Sequence, residues 1–201
     1  VAKSVFENYY KDWKQKYIID RAPWGYPINL KFLKETRPNV KIIVLVRDVI
    51  EVLGSFIAWS EKEPTAFVNQ YAAKTREEKC DMLMNTDGVI VKELIGIKHL
   101  LDHQPKEIYH IVQFNDLVKD VEKTIDGVYN FLSIPKFKHD FNNISQFKVN
   151  NMDYDDAIVG QGLHTLQTGA ISNYKEKYDA YSIIPKNIID KYKQCNFWEE
   201  I

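Results

Sequence analysis

The 201 residues carry 27 basic and 28 acidic side chains, a formal net charge of -1, which argues against a general nucleic-acid surface while leaving room for a local basic pocket. No apolar run approaches the roughly 20 residues of a membrane helix, and no signal-peptide pattern opens the chain. Cys80 and Cys195 stand far apart and fit neither a disulfide framework nor a metal site, so the expectation is a cytoplasmic protein with one core, a single domain over residues 1–201.

The chain begins at Val1 without an initiator methionine, which suggests a processed or cropped N-terminus. Residues 1–15 read as a helix. The short apolar run Tyr17 to Asp20 reads as a strand that must stop at Pro23, since proline cannot extend a ladder and biases Ala22 to extended geometry. Residues 28–37 look helical, with Ile28, Phe32 and Leu33 on one side, and Pro38-Asn39 breaks the chain after them.

The next stretch, KIIVLVRDVIEVLGSF, changes its hydrophobic period at Arg47. Ile42 to Val46 are consecutively apolar, as in a parallel strand buried on both faces. From Val49 the apolar positions follow the spacing of one helix face. The region from Pro64 is polar and then strongly helical, with Ile90, Leu94, Ile97 and Leu101 in register. Ile108 to Phe114 is the third strand candidate, followed by Asn115-Asp116 and an amphipathic helix. Strands alternating with helices imply an α/β fold with a mainly parallel sheet. The tail from Lys136 holds an Asn-rich segment, a Gly-containing loop near 160–171 and a last helix near 185–195.

In open α/β sheets ligands lie beyond the carboxyl ends of the strands, and here those ends carry Arg21, Arg47 and Phe114. Planar cations suit phosphate, and a flat apolar ring suits a base. Asp48 is placed to cap the following helix, whose amino end would add exposed N–H donors. The competing explanation of Arg47 is an ion pair with Asp48 or another carboxylate. That of Ser55, eight positions on, is close helix packing beside Gly54. His110 lies inside a strand pattern and reads as a packed or surface histidine. Asp153, Asp155 and Asp156 lack the spacing of a calcium loop and read as a solvated acidic loop.

Taken together, KIIVLVRDVIEVLGSF resembles the 3'-phosphate-binding segment of PAPS-dependent sulfotransferases. DRAPW and RPNVKIIVLVRD are similar to the segment of bacterial and tyrosylprotein-type members between a Lys-x-Pro turn and that strand. IVQFNDLVKDVEKTIDGVYNFLSIP is similar to the segment that contains Tyr-Glu-Asp-Leu, and GLHTLQTGAIS to the loop that closes over the donor. The resemblance implies a P-loop NTPase-like α/β fold and transfer of a sulfuryl group from PAPS, without a metal, to a hydroxyl or amine. It puts Arg21 at the position of a catalytic lysine, and Arg47 and Ser55 on the 3'-phosphate. It also puts Phe114 beside the adenine, and Gln167, Thr168 and Gly169 in the closing loop with His164 as an acid–base candidate.

The departures matter too. The family's first strand and phosphate loop would precede Val1, and nothing here matches them. Pro23 stands where small-molecule enzymes of the family have a histidine base. Gln167 replaces the usual arginine of the closing loop. The resemblance implies an acceptor pocket lined by variable segments, here expected to include 60–90 and 140–160, and Trp59, Phe67, Tyr71, Phe147, Met152 and Tyr154 are compatible with a small-molecule, glycan or peptide acceptor. Two other functions fit the residues: a nucleotide or metabolite kinase of the same fold, and a non-catalytic binding module of degenerate sulfotransferase fold.

Overall fold

The computed structural model describes residues 2–149, 151–153, 166, 168–171 and 178–200. The chain opens with helix α1 (Ala2–Tyr10), which stops well before residue 15. Val5 and Tyr9 on it are mostly exposed, and a short helix whose apolar side chains face water has little to hold further turns. Tyr17 to Asp20 form no strand, contrary to the expectation from their apolar run. Ile19 is 86% exposed, and no described strand pairs with the segment. A lone extended segment gains nothing from a ladder it does not have.

The turn after Arg21 is closed by Trp24 N–H donating to the Ala22 carbonyl at 2.7 Å and Tyr26 N–H to that of Pro23 at 3.1 Å. It leads into helix α2 (Pro27–Thr36), which starts on proline, where the missing N–H costs nothing. The buried face of α2 is Leu30, Leu33 and Thr36; Ile28 faces water, contrary to the expectation that it shares a face with Leu33.

Strand β1 (Ile42–Val46) pairs in parallel with β2 (Tyr109–Gln113), in register from Ile42 opposite Tyr109 to Val46 opposite Gln113. Ile42, Val44 and Val46 are buried, whereas Ile43 and Leu45 are 41% and 58% exposed. The expectation of a strand buried on both faces therefore fails. Among the described residues only one face of β1 is covered by helices, so its apolar residues divide between core and open face by the two-residue period of a strand.

Helix α3 (Val49–Lys62) follows at once. Ile50, Leu53 and Ile57 on it are fully buried, each worth about 1.5–3 kcal/mol relative to exposure. After a 3-10 turn at Phe67–Asn69 comes helix α4 (Arg76–Met84), where Thr75 and Glu78 form a reciprocal capping box. Helix α5 (Val89–His103) buries Ile90, Leu94 and Leu100. Beyond β2 stand α6 (Phe114–Lys119) and α7 (Val121–Leu132). A small antiparallel pair, β3 (Lys148–Val149) and β4 (Met152–Asp153), and two helices, α8 (Ala180–Ile183) and α9 (Lys186–Tyr192), follow. Ile184, Ile188 and Trp198 of this last segment join the core around α3. The result is a mixed α/β fold in which helices flank a parallel pair of strands.

Candidate active site

Arg47 sits where β1 ends and α3 begins, with its side chain only 18% exposed. Its Nε donates to Glu51 Oε2 at 2.8 Å, and its guanidinium carbon lies 4.6 Å from the centre of the Phe114 ring. A cation at that distance from a half-buried ring is attracted by the ring's electron-rich face. The parallel register explains the meeting, because both strands end at one edge with Val46 opposite Gln113, and each is followed by one of the two residues. The fold thus brings Arg47 and Phe114 together.

Ser55 is half-buried on α3, one turn beyond Glu51. Residues four apart share a helix face, so Glu51 stands between the arginine and the serine. No described ion pair joins Arg47 to Asp48. Asp48 caps α3 through Oδ1, which accepts from Glu51 N–H at 3.0 Å. Its Oδ2 accepts from Tyr181 Oη at 3.1 Å and Asn196 Nδ2 at 2.6 Å, while Asn196 Oδ1 accepts from Val49 N–H at 2.9 Å. The amino end of α3 is therefore less open than expected from sequence, with the amides of Val49 and Glu51 already engaged.

Burial first, and then the Asp48 carboxylate, push the Tyr181 phenol up to about 12. It is a donor at neutral pH. Sequence reasoning missed Glu51, although its i+4 spacing from Arg47 was a legible signal. It also missed Tyr181 and Asn196, which no local pattern marks.

Arg21 is exposed in the loop between α1 and α2, and no described hydrogen bond or ion pair ties it to Arg47. Its position follows from a close backbone crossing. A Cβ on Gly25 would lie 2.8 Å from the Gly96 carbonyl oxygen of α5, and one on Gly96 would lie 3.0 Å from the Tyr26 nitrogen. Only glycine at both points lets the turn seat on α5 in this way. One turn before Gly96 stands Glu93, whose pKa is raised by desolvation against the opposing pull of the Arg21 charge.

In the closing loop His164 and Gln167 lie outside the described residues, as do Tyr154, Asp155 and Asp156. Thr168 and Gly169 are described. Gly169 has φ +97°, a conformation that suits glycine, and exchanges backbone hydrogen bonds with Ile144 at 2.8 and 2.9 Å. No described contact links Thr168 or Gly169 to Arg47. His110 packs in β2, stacked on Phe131 with ring centres 5.3 Å apart. Asp153 forms an exposed pair with Lys148 at 3.5 Å. Of the expected acceptor residues, Trp59 and Phe67 pack on each other and on Phe56.

A groove of about 680 Å³ lies elsewhere, along β2, α6 and α7. Its cations Lys106, Lys119 and Lys123 are balanced in part by Asp116 and Asp120, and neither Arg47 nor Ser55 lines it. The polar groups that converge at Arg47 define the candidate site better than that volume does.

Residues 1–139 match the sulfotransferase family. No curated protein matches the chain. Among solved structures, a sulfotransferase domain from the curacin biosynthetic pathway aligns with a TM-score of 0.55 at 18% identity, covering 96% of this chain and 61% of that one. At that identity the likeness is one of fold. The chain spans less than two thirds of the length of that structure.

Proposed function

The chain belongs to the sulfotransferase family, and on that premise we propose that it forms the nucleotide-holding part of an enzyme that transfers a sulfuryl group from PAPS to a hydroxyl or amine. The observation that carries this reading is the half-buried Arg47 guanidinium at a strand end, set against the Phe114 ring. A planar cation beside an aromatic face is a donor set suited to a nucleotide that bears an extra phosphate.

When bound, PAPS supplies the sulfuryl group. Arg47 binds the 3'-phosphate through guanidinium N–H groups, Ser55 adds a hydroxyl one helical turn beyond Glu51, and Phe114 offers its ring to the adenine. Arg21, the cation at the family's lysine position, stabilises negative charge on the oxygens of the moving group.

Calorimetric titration of the full-length protein with adenosine 3',5'-bisphosphate tests the reading. Binding is expected in the wild type, and Arg47→Ala is expected to weaken it by about 30- to 100-fold, the loss of a charge-assisted contact worth roughly 2–3 kcal/mol. Absence of binding, or equal binding by the variant, would sink the assignment.

A further inference from the structure

The C-terminal segment does more than pack on α3. Asn196 reaches across the amino end of that helix with both ends of its amide, Nδ2 on Asp48 Oδ2 at 2.6 Å and Oδ1 on Val49 N–H at 2.9 Å. Tyr181 adds a second donor to the same carboxylate oxygen at 3.1 Å. Asp48 Oδ1 is held in turn by Glu51 N–H. Both oxygens of Asp48 are thus engaged by N–H and O–H donors, and Arg47, the adjacent residue, pairs with Glu51. Asp48 and Asn196 are half-buried, where a carboxylate adjacent to an arginine is screened by water less than it would be at an open surface.

We propose that Asn196, assisted by Tyr181, is a positioning residue for recognition of the donor's 3'-phosphate. It clasps the Asp48 carboxylate so that this charge does not compete with the phosphate for Arg47. The inference rests on the reading of Arg47 as the 3'-phosphate ligand. It assigns to the far end of the chain a role in specificity: the clasp acts on the 3'-phosphate and not on the rest of the nucleotide.

The comparison of adenosine 3',5'-bisphosphate with AMP, which lacks the 3'-phosphate, reads this directly. Calorimetric titrations of the full-length protein would use wild type, Asn196→Ala, Tyr181→Phe and the double variant Asp48→Asn/Asn196→Ala. Wild type is expected to prefer the bisphosphate. Asn196→Ala is expected to lose about tenfold on the bisphosphate and less than about twofold on AMP, the scale of one lost hydrogen bond to a charged group. Tyr181→Phe, the milder change should Asn196→Ala fail to fold, is expected to move the same ratio in the same direction. Asp48→Asn in the double variant removes the competing charge and is expected to restore the preference.

Equal losses on both nucleotides, or a loss that Asp48→Asn does not restore, would assign Asn196 to stability alone and overturn the inference. A wild type that prefers the bisphosphate and an Asn196→Ala protein that behaves like it would overturn this inference while leaving the Arg47 reading intact. A wild type with no preference would overturn the Arg47 reading, and this inference with it.

Discussion

At Arg47 a charge expected to meet a phosphate is met in the structure by a carboxylate. Glu51 Oε2 accepts from Nε at 2.8 Å with both side chains largely shielded from water. A phosphate brought to the same guanidinium faces that carboxylate across a few ångströms, where repulsion in partly screened surroundings is on the order of 1 kcal/mol or more. Glu51→Gln keeps an oxygen to accept the hydrogen bond and removes the charge. It is expected to tighten binding of adenosine 3',5'-bisphosphate about fivefold, measured by titration. Weaker binding would mean that the carboxylate's charge is needed to aim the guanidinium.

Glu93 offers a second test at this scale. Its pKa is raised by desolvation, with Arg21 pulling the other way. A carboxyl raised in the folded state costs stability once ionised, so stability is highest below its unfolded value and falls as pH rises through the folded one. Glu93→Gln should therefore leave the melting temperature unchanged near pH 3.5 and raise it slightly at pH 8, within about 0.5 kcal/mol for an exposed position. A gain that is the same at both pH values would reject the electrostatic cause.

Among the elements, α3 and α8 meet at a point where one methyl group decides the fit. A Cβ on Gly54 would lie 2.6 Å from Ala180 Cβ, too close for either rigid backbone to absorb. Gly54→Ala gains about 1 kcal/mol in helix propensity but overpacks by about 1–3 kcal/mol. The expected net effect is a loss of about 1 kcal/mol in denaturant unfolding. Ala180→Gly should recover the packing part of that loss in the double variant, and failure to recover it would place the strain elsewhere. Close helix packing, the competing explanation of Ser55, is thus seen at its neighbour Gly54.

This also marks how far the sequence was readable. The β1–Arg47–α3 joint announced itself because the hydrophobic period changes at one residue and Asp48 is a good cap. The capping box of α4 was equally written in Thr75 and Glu78, but the polar composition around it hid the helix. Tyr17 to Asp20 misled because a strand is a property of a pair, and an apolar run does not name its partner. The clasp of Asp48 by Asn196 joins residues 148 positions apart; no local periodicity encodes such a contact, and only the packing of α8 and α9 on α3 creates it.

For the molecule as a whole, side-chain hydrogen bonds among the described residues tie the C-terminal segment to Asp48 and to α4. At the second, Asp81 accepts from Lys191 Nζ at 2.8 Å and Tyr192 Oη at 2.7 Å. The Lys191 hydrogen bond is the main reason that the Asp81 carboxyl titrates below its ordinary value. A carboxyl lowered in the folded state contributes stability above its unfolded pKa, about 3.9, and loses it as pH falls through the folded value. Both charged partners are about half exposed, so the tie is worth no more than about 1 kcal/mol, or roughly 2–4 °C in a chain of this size. Asp81→Asn keeps an acceptor for Tyr192 but removes the charge. Its melting temperature should trail the wild type at pH 7, and the gap should close as pH falls from 5 toward 2. The gap should also shrink in 1 M salt, which screens an exposed pair. A gap independent of both pH and salt would show that α9 is held to α4 by packing of Ile188 and its neighbours, with the ion pair adding nothing to it.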